Sequence, residues 1–339
     1  MASVHLVLLH GELMDSASWG NPFVRALEPF QVTSLDLDGH GARERRAIAA
    51  ELDDVVDGLR ERFLQAASPG PDDVVVLVGH SLGAWIAMRW AQRHAGVDAV
   101  CAIGSIAGLD LVETYAGLAR AIEERAGLAP ETAQRLVGEQ WMRGVPEATR
   151  KRFVRRLKTR RPTPMLDTLR MLLCADPVAP EDVPVPLCAI RGVADPLAPR
   201  RHDDVLVGQS HFPHLEDPAA VAAQVHVMVH HAVVRRAVVR TWLHGDPTWI
   251  DGFRSPGWIR ADPWHGTRDL SSYGAIRTDL PPVDAVELLD ATGDGETFQC
   301  RVRLTRGDRT WILYLLQTWV RGTIHFTAAS YPRDLLDGR

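Results

Sequence analysis

The sequence predicts an α/β protein: a mostly parallel sheet wrapped by helices and carrying a helical cap, followed by a smaller α+β domain with an antiparallel sheet. Three observations predict it. Short β-branched runs alternate with helix-like segments over the first hundred residues, the pattern of βαβ crossovers. From about 109 to 175 the alternation stops and only helical spacing remains. After about 233 the chain becomes tryptophan-rich, and long strand-like segments are joined by Gly-Asp turns.

Val4–Leu9 reads as a strand ending at His10-Gly11. A loop through Trp19-Gly20-Asn21-Pro22 leads to a short helix over 23–27, and 32–37 is a second strand. Its end, Asp36-Leu37-Asp38-Gly39-His40-Gly41, is a glycine-rich loop. Leu52, Val55, Val56, Leu59 and Phe63 keep the 3.6-residue spacing of an amphipathic helix, which Pro69-Gly70-Pro71 stops. The continuous run Val74 to Val78 reads as a central parallel strand buried on both faces. A helix over 84–95 and a strand over 97–103 follow.

Four helices are expected in the cap, over 111–126, 130–142, 147–159 and 165–174. Prolines 177, 180, 184 and 186 return the chain to the sheet. Leu187–Arg191 is a strand, 205–207 a short last one, and 217–243 is helical, read as two helices joined near His230-His231. We place a boundary there, giving domains 1–232 and 233–339. In the second, 285–289, 297–304, 310–320 and 323–328 are strands, with turns at Gly293-Asp294-Gly295 and Arg306-Gly307-Asp308.

The 339 residues suffice for two domains. A net charge of −5 gives no general attraction to nucleic acid or to a membrane surface. The four cysteines are scattered without CxxC spacing, which predicts free thiols in a reducing cytoplasm and no metal site. The chain opens on a strand without a charged leader, so no signal peptide is expected, and no apolar run reaches the ~18 residues of a membrane span.

Chemistry concentrates at Gly79-His80-Ser81-Leu82-Gly83. A strand, Gly-x-Ser-x-Gly and then a helix is the context of a nucleophile elbow. The serine sits on a strained turn, and strand and helix pass too close for side chains at Gly79 and Gly83. With Leu8-Leu9-His10-Gly11, the 36–41 loop, Gly192-Val193-Ala194-Asp195-Pro196 and His211-Phe212-Pro213-His214-Leu215-Glu216-Asp217-Pro218, this motif makes residues 3–230 resemble the α/β-hydrolase superfamily. The chain begins at what that family counts as its third strand, as in the plant methylesterase and hydroxynitrile lyase branch.

The resemblance implies a nucleophile, an acid and a base in that order: Ser81, Asp195 and His211. The base would activate the serine hydroxyl, and the acid would hold the imidazole in the right tautomer. His214 competes as base. Asp110 competes as acid, with Asp203 and Asp204 a third option. Only 16 positions separate Asp195 from His211, so little helix fits between them. The backbone N–H groups of Leu82 and Glu12 would form the oxyanion hole, with His10, Gly11, His80 and Trp85 lining the pocket. A carboxylate at Glu12 opposes a developing negative charge unless it turns to solvent; the other reading is a contact with a polar or cationic substrate group, or a role as auxiliary acid or base.

The basic run from Arg150 to Arg161 lies in the cap, either as a solvated face or as a dock for an acidic carrier protein. Residues 233–339 resemble in layout the nuclear transport factor 2-like superfamily, which includes SnoaL-like polyketide cyclases. That resemblance implies a cone-shaped domain able to form a homodimer, with His265, Asp290 and His325 as its available acids and bases. The expectation is a cytoplasmic serine hydrolase without cofactor or metal, cleaving an ester, lactone or thioester of a small to medium apolar metabolite. The alternatives are a thioesterase, cyclase or lyase of a polyketide or peptide pathway using the same triad, and a non-catalytic ligand-binding protein.

Overall fold

The computed structural model describes residues 2–12, 14–105, 162–195, 197, 203–244, 246, 249–262, 266–269 and 283–330, with isolated positions between 106 and 161. Six parallel strands form the first sheet: β1 (Val4–Leu9), β2 (Gln31–Leu35), β3 (Val74–His80), β4 (Ala99–Ile103), β5 (Leu187–Arg191) and β6 (Val205–Leu206). Their order is β2-β1-β3-β4-β5-β6. Strand β3 lies between β1 and β4, with Val4 beside Val74 and Val76 beside Ala99. All seven of its residues are buried, as a run without polar alternation requires.

Helices α1 (Asn21–Ala26), α2 (Leu52–Ala67) and α3 (Leu82–Arg93) fall close to their predicted places. Helix α2 buries Leu52, Val55, Val56, Leu59 and Phe63, the residues whose spacing predicts it. Helix α4 (Pro162–Cys174) corresponds to the last of the four expected in the cap. The other three, with Asp110 and most of the basic run, lie outside the described residues.

A four-residue helix, α5 (Pro213–Glu216), leads into α6 (Pro218–Leu243), one unbroken helix of 26 residues where we expected two. Residues 232 and 233 are therefore neighbours within a single helix. The reason is burial on several sides. Val221, Val225, Val229, Ala232 and Val233 are all within 1% of complete burial, and α6 packs between β3, β4 and β5 on one side and β9 and β10 on the other. A helix enclosed this way is apolar all round, so its sequence lacks the periodicity that marks a surface helix. Its valines, poor helix formers alone, are held by packing.

The second sheet has the order β8-β7-β12-β11-β10-β9, built from β7 (Arg254–Asp262), β8 (Gly266–Asp269), β9 (Ala285–Gly293), β10 (Thr297–Arg306), β11 (Arg309–Val320) and β12 (Thr323–Ser330). Strands β9 to β12 form the expected antiparallel meander. Strands β7 and β8 were not anticipated, because Pro256 and Gly257 break the pattern, and β7 joins β12 in parallel. Phe298, Val302, Leu304, Leu313 and Trp319 join α6 and the rear face of the first sheet in one continuous core. Polar ties reinforce it. Arg236 Nε lies 3.0 Å from Asp98 Oδ1, Arg240 Nη2 lies 2.5 Å from Asp72 Oδ1, and Trp249 Nε1 donates to the Asp72 carbonyl at 3.1 Å. Among the described residues no helix is long and apolar enough to cross a membrane.

Candidate active site

Strand β3 delivers Ser81 to the top of the sheet and α3 begins at the next residue. Ser81 has φ 53° and ψ −113°, a conformation costing about 1–3 kcal/mol outside glycine. The turn is held by its N–H, which donates to the Ile103 carbonyl at 2.8 Å. A Cβ on Gly83 would lie 1.9 Å from the Leu9 carbonyl oxygen, and one on Gly79 would lie 2.2 Å from that of Gly83. Both glycines are thus required by backbone crowding, as the motif predicts.

Two loops at the far edge converge on the same end of the sheet. Val193 N donates to Gly208 O at 3.0 Å and Ala194 N to Gln209 O at 2.9 Å, an approach that a side chain on Gly192 would block, its Cβ lying 2.0 Å from Ser210 O. These bonds bring Asp195 to His211. Nδ1 of His211 lies 2.9 Å from Oδ2 and 3.1 Å from Oδ1 of Asp195, with both residues buried. A carboxylate on Nδ1 leaves Nε2 as the nitrogen available to accept a proton. Asp203 is exposed, and Asp204 packs against Arg191, its Oδ2 3.8 Å from Nε.

The His211 ring flanks Gly104, one residue beyond the carbonyl that holds Ser81. Its own carbonyl accepts a 2.8 Å hydrogen bond from Nε2 of His80. Ser81 and the His211 ring thus occupy one neighbourhood, although no Ser81–His211 hydrogen bond is present among the described residues. Such bonds are commonly long in unliganded sites and tighten on substrate.

His214 sits behind the site rather than in it. Its ring lies 4.9 Å from Trp19 and 4.8 Å from His80, and burial, then the neighbouring His211, pushes its pKa down to about 3. Burial likewise holds His80 well below the ordinary histidine range, so His80 is a neutral Nε2–H donor. It braces the His211 loop instead of facing a substrate. His10 is similarly occupied: Nδ1 donates to Gly11 O at 2.8 Å and Nε2 accepts from Leu37 N at 3.0 Å. Gly11 lies against the elbow, where a Cβ would come 3.1 Å from that of Ser81. Trp85 is buried in the core beneath α3. Leu82 begins α3, so its N–H is among those the helix leaves without an intrahelical acceptor.

Glu12 departs from the expectation that its carboxylate turns to solvent. Oε1 lies 3.2 Å from Nε2 of His40, and Oε2 is buried without a hydrogen-bond partner. His40 Nδ1 lies 3.0 Å from the Asp38 carbonyl, to which it can only donate. The Glu12 carboxylate is thus directed onto the His40 ring and not into bulk solvent. Asp36 secures the same loop, accepting from Ser16 N at 2.6 Å and Ala42 N at 2.8 Å. Burial pushes its pKa up, but the hydrogen bonds outweigh this and leave it low.

Sequence reasoning missed two supports. Glu216 Oε2 accepts from Gln209 N at 2.6 Å and Ser210 N at 3.0 Å, clamping the loop that presents His211. The second is the His80 bond itself. Neither has a local signature, since each joins residues that only the fold brings together. In the second sheet, Asp290 is exposed and paired with Arg301, His325 is exposed, and His265 lies outside the described residues.

These features agree with the comparisons. A family model described as the alpha/beta hydrolase family matches residues 6–224. Over 240 residues, 63% of this chain and 88% of the relative, the sequence is 27% identical to a pimeloyl-[acyl-carrier protein] methyl ester esterase of Sodalis glossinidius. Among solved structures, a thermophilic esterase from Thermogutta terrifontis superposes with a TM-score of 0.57 at 18% identity, covering 68% of this chain and 91% of that one. MenH from S. aureus gives 0.54 at 18% identity, covering 68% and 95%. The strand order, the elbow at Ser81 and the family match over most of the chain lead to one conclusion: this chain belongs to the alpha/beta hydrolase family.

Proposed function

We propose that this protein is a serine hydrolase that cleaves an ester, lactone or thioester of a small to medium apolar metabolite. Ser81 attacks the carbonyl, His211 takes its proton and returns it to the leaving group, and Asp195 orients the imidazole. Water activated through His211 then releases the acyl group from Ser81. The N–H groups of Leu82 and Glu12 stabilise the oxyanion. The observation that carries this reading is the buried His211–Asp195 pair beside a serine held at φ 53°.

A fluorophosphonate probe should label the wild type and not Ser81→Ala. Absence of labelling in both would favour a non-catalytic ligand-binding protein. Asp195→Asn should lower kcat by about 10⁴; near-normal turnover would transfer the role to Asp110.

A second reading is a thioesterase or related acyl-transfer enzyme acting on a carrier-bound substrate in the cytoplasm. It is favoured by the relative whose name specifies an acyl-carrier protein substrate. Neutralising Arg155 and Arg156 in the cap should then reduce turnover of carrier-bound but not of free thioester. The C-terminal domain, which we read as nuclear transport factor 2-like, would serve dimerisation. The exposed Tyr314, Leu316 and Val320 on β11 support that role. Tyr314→Arg with Leu316→Arg should shift the sedimentation coefficient to that of a monomer.

A further inference from the structure

Away from Ser81, a cleft of about 410 Å³ opens between residues 183–186, α6 and β9. Its lining is of mixed polarity, with Val183, Val185, Val239 and Leu288 supplying an apolar part. Two basic side chains, His231 and Arg235, enter it from successive turns of α6, four residues apart and so on one face. The flanking arginines of the helix are committed, Arg236 to Asp98 at 3.0 Å and Arg240 to Asp72 at 2.5 Å. Arg235 has no hydrogen bond or ion pair among the described residues. Glu287, the acidic group in the lining, is bound 2.5 Å from Arg303.

The pair therefore enters the cleft together, and the buried carboxylate that feels the charge of Arg235, Asp98, is already paired with Arg236. Burial, and then the charge of Arg235, pushes the His231 pKa down to about 4, so His231 is a neutral ring with one N–H to offer. A half-buried guanidinium beside a neutral imidazole matches a carboxylate, which can accept from both. The valine and leucine side chains of the lining match a short hydrocarbon chain, and the volume lies within the range of small-molecule sites. A doubly charged anion fits less well, since Glu287 stands at the lining.

We propose that this cleft binds an amphipathic monocarboxylate, its head on Arg235 and His231 and its chain against Val183, Val185, Val239 and Leu288. The site is lined by none of Ser81, Asp195 and His211 and does not depend on the hydrolase reading.

Octanoate is the probe, titrated calorimetrically into the full-length protein, with octan-1-ol as the uncharged control. Wild type should bind octanoate saturably and octan-1-ol at least about tenfold more weakly. Arg235→Gln should weaken octanoate by about 10- to 100-fold, the scale of a lost charge-assisted bond. Val239→Trp, which fills the cleft, should abolish binding, and circular dichroism melts verify that both variants are folded. Octanoate affinity unchanged in both variants would place the ligand elsewhere and overturn the proposal. So would equal affinity for the alcohol, or no saturable binding below about 10 mM. The readout is binding and not turnover, so failure here leaves the assignment of Ser81 standing, and failure of that assignment leaves this one.

Discussion

Nε2 of His80 donates a 2.8 Å hydrogen bond to the backbone carbonyl of His211, so the residue before the elbow serine holds the loop that carries the imidazole. Both partners are buried, and His80 is neutral because burial disfavours its charged form. Replacing His80 with Ala would leave a buried carbonyl unsatisfied, at about 1–3 kcal/mol. The expected result is a kcat lowered by about tenfold or more with KM little changed, and a lower Tm. Steady-state kinetics alongside a melt checks it; unchanged kcat would show that His211 needs no such brace.

Gly83→Ala tests the elbow's crowding. Its Cβ would fall 1.9 Å from a backbone carbonyl oxygen, an atom that cannot swing away as a side chain can. Strand β1 and helix α3 must then separate at the site itself. A loss of more than about 3 kcal/mol is expected in urea unfolding, with loss of probe labelling at Ser81. A near-native midpoint would mean that β1 and α3 can separate at this point at little cost.

Stability should fall as pH drops below neutrality. Burial depresses five histidines: His80 strongly, His214 and His230 to about 3, His231 to about 4, and His226 more modestly. Each is neutral when folded and takes up a proton when unfolded below about pH 6.5. The unfolded state therefore binds more protons, and unfolding becomes easier as pH falls from about 6.5 towards 3. The slope is at most about 1.4 kcal/mol per pH unit for each ring. The lowered carboxylates Asp57 and Asp73, held near 2, add to this trend only below about pH 4, and the buried Asp98, whose pKa burial raises, opposes it as one group against five rings. Urea midpoints at pH 7.5, 6.5 and 5.5 should decline in that order. A flat series would mean that these rings are hydrated.

Truncation after residue 232 should not yield a folded remainder. The cut falls inside α6 and removes Val233, Val234 and Val238, together with the Arg236–Asp98 and Arg240–Asp72 pairs. It also uncovers the α6 surface that Phe298 and Trp319 bury, where the His230 ring stacks on Trp319 at 4.1 Å. Size-exclusion chromatography should show aggregation or no soluble product. A soluble monomer with native circular dichroism would make the C-terminal segment a separable module.

Much of this protein was legible in its residues alone. The run Val74 to Val78, the glycines at 79 and 83 and the spacing of Leu52, Val55, Val56, Leu59 and Phe63 are local signals. Backbone sterics and burial on one face act within a few residues, so such signals can be read without a fold. The same holds for the four strands of the meander, whose alternation and Gly-Asp turns are intrinsic to the chain.

Tertiary structure alone decided the rest. That α6 is one helix, that β7 joins β12, that Glu12 turns onto His40 and that Glu216 clamps the His211 loop all depend on partners far along the chain. A helix covered on several sides loses its sequence period, and a buried polar group takes whichever partner the fold sets within about 3 Å. Those choices are made by packing between segments, which no stretch of sequence carries by itself.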